Sequence, residues 1–230
     1  IVSDHNKGEF DREKAQALIK TQEEFSDKTG NPHMLDVVGA SAEAMKKYLD
    51  FVSGLTDAPI LVDGVTADIR IAGLDHVREV GIKNPIVYNS ILPDYKQMEI
   101  DKIKETGTRA VLLLAFNMKE FTSAGRVKAI KNLIPIVTSA GADQLLFDTT
   151  VIDIPSLGMA CKALTELKNE LGYPVGCGAH NAIGTWKGLK KKMGLQAHDP
   201  SMAVASGITV ALGADFVLYG PIEASSYMFP

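Results

Sequence analysis

Acidic and amide side chains recur at the ends of apolar runs throughout this sequence. The clearest case is PILVDGVT, in which an apolar, partly β-branched run ends at Asp63 and a glycine. A fully buried strand of a parallel sheet has this composition and presents its polar group where the strand ends. Six further runs share the design, and their polar ends are Asp36, Asn89, Asn117, Asp148, Asn181 and Glu223. Such side chains can accept hydrogen bonds from N–H donors of a ligand.

This set of carboxylates and amides favours one class of ligand. Almost no Lys or Arg accompanies it, whereas phosphate needs cationic or helix N-terminal donors. The set suits a neutral heterocycle with several N–H donors. Taken singly, each residue has a structural alternative, because Asp and Asn after a strand often cap the next helix or form an Asx turn.

Metal binding and nucleophilic catalysis are not predicted. His33, His180 and Cys177 could ligate a metal, but no HxH, HExxH or CxxC spacing occurs. No GxSxG motif is present and Cys177 has no evident cationic partner, so it is interpreted as a space-filling residue. The glycines beside it, Gly176 and Gly178, indicate close approach by a flat ligand or by neighbouring backbone.

Helix-like sequence follows each apolar run, which is the pattern of parallel β/α repeats. Helices are predicted over residues 11–28, 67–80, 95–105, 125–139, 156–171, 184–193 and 200–212, and after an N-cap at Ser41. Seven strands fall one short of a (β/α)₈ TIM barrel, so we expect its first strand upstream of Ile1 and its last helix beyond Pro230. In that fold the polar strand ends ring one cavity. The alternative is a seven-stranded doubly wound sheet.

Composition limits the remaining possibilities. A chain of 230 residues with 46% hydrophobic content can form a single domain over residues 1–230, incomplete at both ends. A net charge of -4 argues against nucleic-acid partners, and the basic run Lys190 to Lys192 is interpreted as a solvated helix end. Two cysteines and no bilayer-spanning apolar stretch favour the cytoplasm without membrane insertion. An exposed final strand edge predicts a homodimer.

Several longer motifs resemble those of one known family. They are KGEFDREKA at Lys7, SDKTGNP at Ser26, YNSI at Tyr88, LLLAFN at Leu112, GAHNAIG at Gly178 and LYGPIE at Leu218. In this order they are similar to the pterin-binding methyltransferases related to the MtrH subunit of tetrahydromethanopterin S-methyltransferase, including bacterial relatives that use tetrahydrofolate. The resemblance covers essentially the whole chain, but the family's first barrel strand, with its own pocket residues, and its C-terminal helices are absent.

The resemblance implies a (β/α)₈ barrel that moves a methyl group between N5 of a tetrahydropterin and the cobalt of a corrinoid. It implies that Asp63, Asn89 and Asp148 hold the pyrimidine edge of the pterin. Asn181 would lie near N5, where a positioned amide favours the transition state, and Asp63 would take a proton through water. The predicted pterin-binding residues are therefore Asp63, Asn89, Asp148, Asn181, Asn117, Asp36, Gly176 and Gly178, with Asn181 and Asp63 catalytic.

The function predicted from these residues is methyl transfer between methylcobalamin, or a corrinoid protein, and tetrahydrofolate. One alternative is the same transfer with tetrahydromethanopterin, as part of a membrane-associated complex. Another is a non-catalytic subunit that docks a corrinoid protein. A condensation of the dihydropteroate synthase type would need basic residues for pyrophosphate, which the predicted cavity lacks. A metal-dependent aldolase-type barrel is the remaining alternative.

Overall fold

A computed structural model describes residues 1–230. The strands are β1 Val2–Asp4, β2 Glu9–Phe10, β3 Leu35–Gly39, β4 Ile60–Gly64, β5 Ile86–Ile91, β6 Ala110–Leu114, β7 Gln144–Asp148, β8 Val175–Cys177 and β9 Phe216–Val217. The helices are α1 Arg12–Thr29, α2 Ala42–Ser53, α3 Ala67–Val80, α4 Gln97–Thr106, α5 Ser123–Ser139, α6 Ile154–Leu171, α7 His180–Gly184, α8 Leu189–Met193, α9 His198–Ala211 and α10 Ser225–Met228. No helix has the length and apolar character that crossing a membrane requires.

The strand order follows the chain order. Strands β3 to β9 succeed one another along one sheet, while β1 and β2 form a separate antiparallel pair. The pairs β3–β4, β4–β5, β7–β8 and β8–β9 are parallel. Sequential parallel strands are the product of repeated β/α units. A doubly wound sheet reverses its order at a switch point, so that alternative is excluded.

Three strands end earlier than the sequence predicts. Strand β6 stops at Leu114, because the Phe116 N–H turns back to the Leu114 carbonyl at 2.8 Å. Strand β8 stops at Cys177, and Asn181 lies instead in the short helix α7. Glu223 lies in a 3₁₀ turn, Ile222–Ala224, beyond the two-residue strand β9. Asn117, Asn181 and Glu223 are therefore not strand-end residues.

The helix boundaries follow local capping. Ser41 caps α2 as predicted, with its Oγ accepting from the Ala44 N–H at 3.0 Å. Helix α1 ends at Gly30 in the left-handed conformation, at φ 75°, where glycine is favoured. The helix predicted over residues 184–193 is wrong as a single element, since α7 and α8 are separated by a turn in which the Lys187 N–H bonds to the Thr185 carbonyl at 2.9 Å.

The contacts of the chain divide into two compact units. Unit 1 comprises residues 1–112 and 135–144, and unit 2 comprises residues 113–134 and 145–230. In unit 1, helices α2 and α3 cover one face of β3 and β4. A Cβ added to Gly39 would lie 2.9 Å from the Met45 Cβ, and one added to Gly73 would lie 2.5 Å from Val62 Cγ1. The single-domain description stays a prediction.

The core of unit 2 lies between β8 and the helices that follow it. Cys177, Ala182, Leu189 and Ala205 belong to one buried cluster, together with residues of α6. The Cys177 side chain is fully buried, and burial raises the pKa of its thiol. This environment fits a packing residue and not a nucleophile.

Candidate functional site

In unit 1, three of the predicted residues meet on one face of the sheet. Strand register aligns Val38 with Asp63 and Asp63 with Asn89, so these side chains point the same way. Asp36 precedes Val38 by two residues and shares that face, which is opposite the one that α2 and α3 cover. The Asn89 Nδ2 donates to the Asp36 Oδ1 at 3.2 Å. Unit 1 thus presents two carboxylates and one amide together.

The carboxyl group of Asp63 is held in a partly desolvated position. Burial raises its pKa, while the Gly64 backbone N–H and the nearby Arg70 guanidinium oppose the rise. Asn89 beside it is 7% exposed. A carboxyl group of this kind takes up a proton more readily than a solvated aspartate, which is useful in proton transfer.

A buried ionic network lies behind Asp63 on the helix side of the sheet. Arg70 donates to the Gly64 carbonyl at 2.7 Å and to Glu99 Oε1 at 2.6 Å. The Tyr88 hydroxyl donates to the same Glu99 oxygen at 2.6 Å, and burial beside Glu99 raises the Tyr88 pKa. Because Gly64 follows Asp63 directly, the network fixes the backbone that carries the acid. Sequence reasoning missed this network, since an arginine in an amphipathic helix normally indicates an exposed position.

In unit 2, Asp148 ends β7 and is 6% exposed. Its Oδ1 accepts from the Thr150 N–H at 2.7 Å, and the Gly178 N–H also donates to the carboxyl group. Desolvation raises the pKa of Asp148 to about 6, against the opposing effect of these donors and of Arg126. The group is a buried acceptor whose charge changes close to neutral pH.

Arg126 has the same role behind Asp148 that Arg70 has behind Asp63. Its fully buried guanidinium donates to the Thr149 carbonyl at 2.8 Å and to the Thr150 carbonyl at 3.2 Å. It also lies 4.2 Å from the centre of the Phe121 ring. Thr150 has φ 59°, an uncommon value for a β-branched residue, so the arginine fixes a turn with little freedom of its own. Arg126 was not predicted from the sequence either.

The glycines around Cys177 have backbone reasons. A Cβ on Gly176 would lie 2.1 Å from the Phe216 carbonyl oxygen of the paired strand β9. Of the two alternatives, neighbouring backbone therefore explains Gly176. Gly178 supplies an N–H to Asp148, and its own Cβ would lie 3.3 Å from Asn181 Nδ2. Gly178 thus connects the two polar residues of unit 2.

Two more predicted residues and a neighbouring histidine can also be placed. Asn181 is exposed on α7. The Oδ1 of Asn117 accepts from the N–H groups of Lys119, at 3.1 Å, and Glu120, at 3.3 Å, which is the Asx-turn alternative. His180 bonds through Nδ1 to the Leu218 carbonyl at 2.8 Å, and burial lowers its pKa. His180 is therefore a neutral structural link to the segment after β9.

No group of three His, Cys, Asp or Glu side chains lies close enough to hold a metal ion. The polar groups described above can instead accept N–H donors of an organic ligand. Asp63 and Asn89 do so from unit 1, and Asp148 from unit 2.

Comparison with known proteins gives one family throughout. The sequence profile of "Tetrahydromethanopterin S-methyltransferase MtrH subunit" matches residues 1–230. The H subunit of tetrahydromethanopterin S-methyltransferase from Methanothermobacter thermautotrophicus is 38% identical over 100% of this chain and 78% of its own length. The protein of the same name from Methanopyrus kandleri is 36% identical, and the H subunit of a putative mtx methyltransferase from Methanosarcina mazei is 32% identical, with the same coverage.

Solved structures of dihydropteroate synthase from Xanthomonas albilineans are similar in fold. One, with 4-aminobenzoic acid, has a TM-score of 0.63, and another, with indole-2-carboxylic acid and 6-chloroguanine, has a TM-score of 0.67. Both cover 95% of this chain and 83% of the synthase, at 18% identity. At this identity the likeness concerns the fold alone. It confirms the predicted α/β barrel class.

Proposed function

The chain belongs to the family of the MtrH subunit of tetrahydromethanopterin S-methyltransferase, and we propose that it transfers a methyl group between N5 of a reduced pterin and a corrinoid. The match of the family profile to residues 1–230 is the observation that carries this proposal. The names of the relatives favour tetrahydromethanopterin over the tetrahydrofolate of the main prediction. They also favour work within a multi-subunit complex.

Unit 1 supports the pterin half of the proposal. The pyrimidine edge of a pterin presents a ring N–H beside an exocyclic amine, and a carboxylate accepts both hydrogen bonds at once. Asp63 and Asn89 lie on one face with their backbones paired. The Arg70 bond to the Gly64 carbonyl, at 2.7 Å, limits movement of that strand end. We assign pterin binding to Asp63 and Asn89, with Asp36 orienting the Asn89 amide.

Unit 2 supplies a second acceptor, Asp148. Its side chain is almost fully buried, so an N–H donor of the ligand that reached it would bond in a water-poor environment. Ionised Asp148 is costly there, as its raised pKa of about 6 indicates, and donors from a ligand offset that cost. Asp148 is therefore assigned to the ligand's N–H groups.

Asn181 is assigned to N5. A methylated tertiary amine is a poor leaving group unless the nitrogen is protonated or hydrogen-bonded as charge develops. The exposed amide of Asn181 can make that bond, and the Gly178 backbone beside it connects α7 to Asp148. In the reaction the N5–CH₃ bond breaks, the methyl group passes to the corrinoid, and N5 takes a proton. Asp63, with its raised pKa, can supply that proton through water.

The experiment is methyl transfer by the purified chain in both directions, with cobalamin as the corrinoid. N5-methyl-tetrahydromethanopterin and N5-methyl-tetrahydrofolate are supplied separately to cob(I)alamin, and loss of its absorbance is followed. We expect transfer, faster with the methanopterin substrate. No transfer from either pterin, with binding of both intact, would leave the chain as a docking component.

A further inference from the structure

A small cavity in unit 2 is lined by one aromatic ring and several basic groups. It lies beside α7, α8 and the start of α9 and has a volume of about 160 Å³. Ile183 and Leu189 form its apolar floor, and Trp186, Lys187, Lys190 and His198 complete its wall. We refer to it as the Trp186 cavity.

The floor of the Trp186 cavity is anchored in the core. Ile183 is 7% exposed and Leu189 3%, and both belong to the buried cluster that includes Cys177. The Trp186 N–H bonds to the Ile183 carbonyl at 3.1 Å, and the Leu189 N–H bonds to the Trp186 carbonyl at 3.0 Å. The backbone of the tryptophan is thus fixed on both sides, while its side chain remains 41% exposed. An accessible ring on a fixed backbone is a good stacking surface.

The charge around this cavity has one sign. Four lysines, Lys187, Lys190, Lys191 and Lys192, fall in one short segment, and no Asp or Glu occurs between Glu170 and Asp199. Other lysines of unit 2 form ion pairs, as Lys168 does with Asp215 at 2.7 Å. None of the four lysines does so. In a chain of net charge -4, a concentration of unpaired cations on one turn is a site for an anion.

The position of the cavity relates it to Asn181. Helix α7 carries both Asn181 and the cavity residues Ile183 and Gly184. A helix rises about 1.5 Å per residue, so Asn181 lies within one helical turn of the cavity. Ligand pockets for whole molecules measure roughly 300 to 1,000 Å³. The Trp186 cavity therefore suits a fragment of a ligand, with an aromatic ring and an anionic group.

We propose that the Trp186 cavity binds the tail of the reduced pterin, with Trp186 against the tail's aromatic ring and Lys187 and Lys190 on its anionic groups. This rests on the proposed function, because the tail is attached to the ring carbon next to N5, which is assigned to Asn181. Reduced folates end in carboxylates, whereas methanopterins also carry a phosphate. The cavity recognises the chemistry that both share.

The test compares three probes by calorimetry at low salt: tetrahydromethanopterin, tetrahydrofolate and tail-free 6-methyltetrahydropterin. We expect each tailed pterin to bind at least about tenfold more tightly than the tail-free one. The Lys187→Gln/Lys190→Gln double variant should lose most of that ratio and keep the affinity for 6-methyltetrahydropterin. Lys104→Gln, at another exposed lysine without an ion pair, is the matched control. Trp186 is the only tryptophan, so its fluorescence reports the cavity directly and should respond only to tailed pterins.

The outcomes separate the two proposals. If 6-methyltetrahydropterin binds, but the tail adds no affinity or the double variant keeps the full ratio, the tail site is refuted and the proposed function is untouched. If no pterin binds the wild-type chain, the proposed function fails. A larger ratio for tetrahydromethanopterin than for tetrahydrofolate supports the site with phosphate as the recognised anion, and the reverse supports it with carboxylate.

Discussion

At the scale of single residues, the pKa of Asp148 has the most direct consequence for binding. Desolvation raises this pKa to about 6, so the carboxyl group is ionised at neutral pH and protonated a little below it. A ligand that donates N–H groups needs the ionised form. Its affinity is therefore fully available above the pKa and is lost as the pH falls through it.

We expect the affinity for 6-methyltetrahydropterin to weaken as the pH falls below about 6, by up to about tenfold per pH unit. Calorimetric titrations between pH 8 and pH 5 would measure the slope. Asp148→Asn should bind about 1 to 3 kcal/mol more weakly at neutral pH and should lose that part of the pH dependence. An equal pH dependence in the variant would assign the titration to the pterin and not to Asp148.

Asp63 is the matching acid of unit 1. We expect Asp63→Asn to weaken pterin binding by about 1 to 3 kcal/mol, since the new amide places an N–H₂ group against the donors of the ligand. The exposed Asp68 lies five residues further along the chain, and Asp68→Asn is the matched control. Equal affinities of the two variants would remove Asp63 from the pterin site.

The strand-end residues differ in how well the sequence predicts them. Asp63, Asn89 and Asp148 terminate clear apolar runs, so strand periodicity alone places them. Asn117 and Asn181 follow turns, and their positions depend on where β6 and β8 end. No sequence signal marks Arg70 or Arg126, because a helical arginine that turns inward onto backbone carbonyls has the same sequence pattern as one that faces water.

At the scale of elements, two buried arginines fix two strand ends. Arg70 bonds to the carbonyl of Gly64, directly after Asp63, and Arg126 bonds to the carbonyl of Thr149, directly after Asp148. In each case the acid's backbone is held by a cation that also opposes the rise in the acid's pKa. The elements therefore control both position and charge.

We expect Arg126→Met to lower the free energy of unfolding by roughly 2 to 4 kcal/mol, since buried carbonyls lose their donors. Chemical denaturation would measure this. The variant should also shift the pH midpoint of pterin binding upward, because Asp148 loses a nearby cation. Arg109→Met removes an exposed arginine paired with Asp143 and should leave both quantities near wild type. An unchanged pH midpoint in Arg126→Met would restrict Arg126 to a structural role.

The close packing of β8 against β9 gives a second prediction for this scale. Gly176→Ala should cost at least about 2 kcal/mol of stability, because its Cβ would lie 2.1 Å from a backbone oxygen that cannot move alone. Gly207 in α9 has no heavy atom within 4 Å of an added Cβ. Gly207→Ala should therefore stabilise by about 0.5 to 1 kcal/mol. Thermal unfolding of the pair would show opposite shifts, and shifts of the same sign would contradict the packing described.

At this scale the order and type of the repeats follow from the sequence, because apolar strand runs and capped amphipathic helices alternate. Ser41 and Gly30 mark helix ends that the structure reproduces. Strand lengths are less predictable. Short strands such as β8 and β9 are set by hydrogen bonds from distant segments, which no local pattern records.

At the scale of the whole molecule, fold and family carry different information. The dihydropteroate synthases share the fold at 18% identity, and such a fold hosts more than one reaction. The family profile and relatives at 32 to 38% identity narrow the chemistry to methyl transfer. In the proposed site the pterin is recognised by acceptors and its tail by cations, so the two ends of one substrate are distinguished by charge.

Single-turnover methyl transfer is the decisive measurement for the proposed chemistry. N5-methyl-tetrahydromethanopterin is mixed with cob(I)alamin and wild-type chain, and with Asn181→Ala chain as the comparison. We predict methylcobalamin formation by wild type and a rate at least about 100-fold lower for the variant, with pterin affinity nearly unchanged. Equal rates for the two proteins would contradict the assignment of Asn181 to N5, and the absence of methylcobalamin with wild type would contradict the catalytic role of the chain.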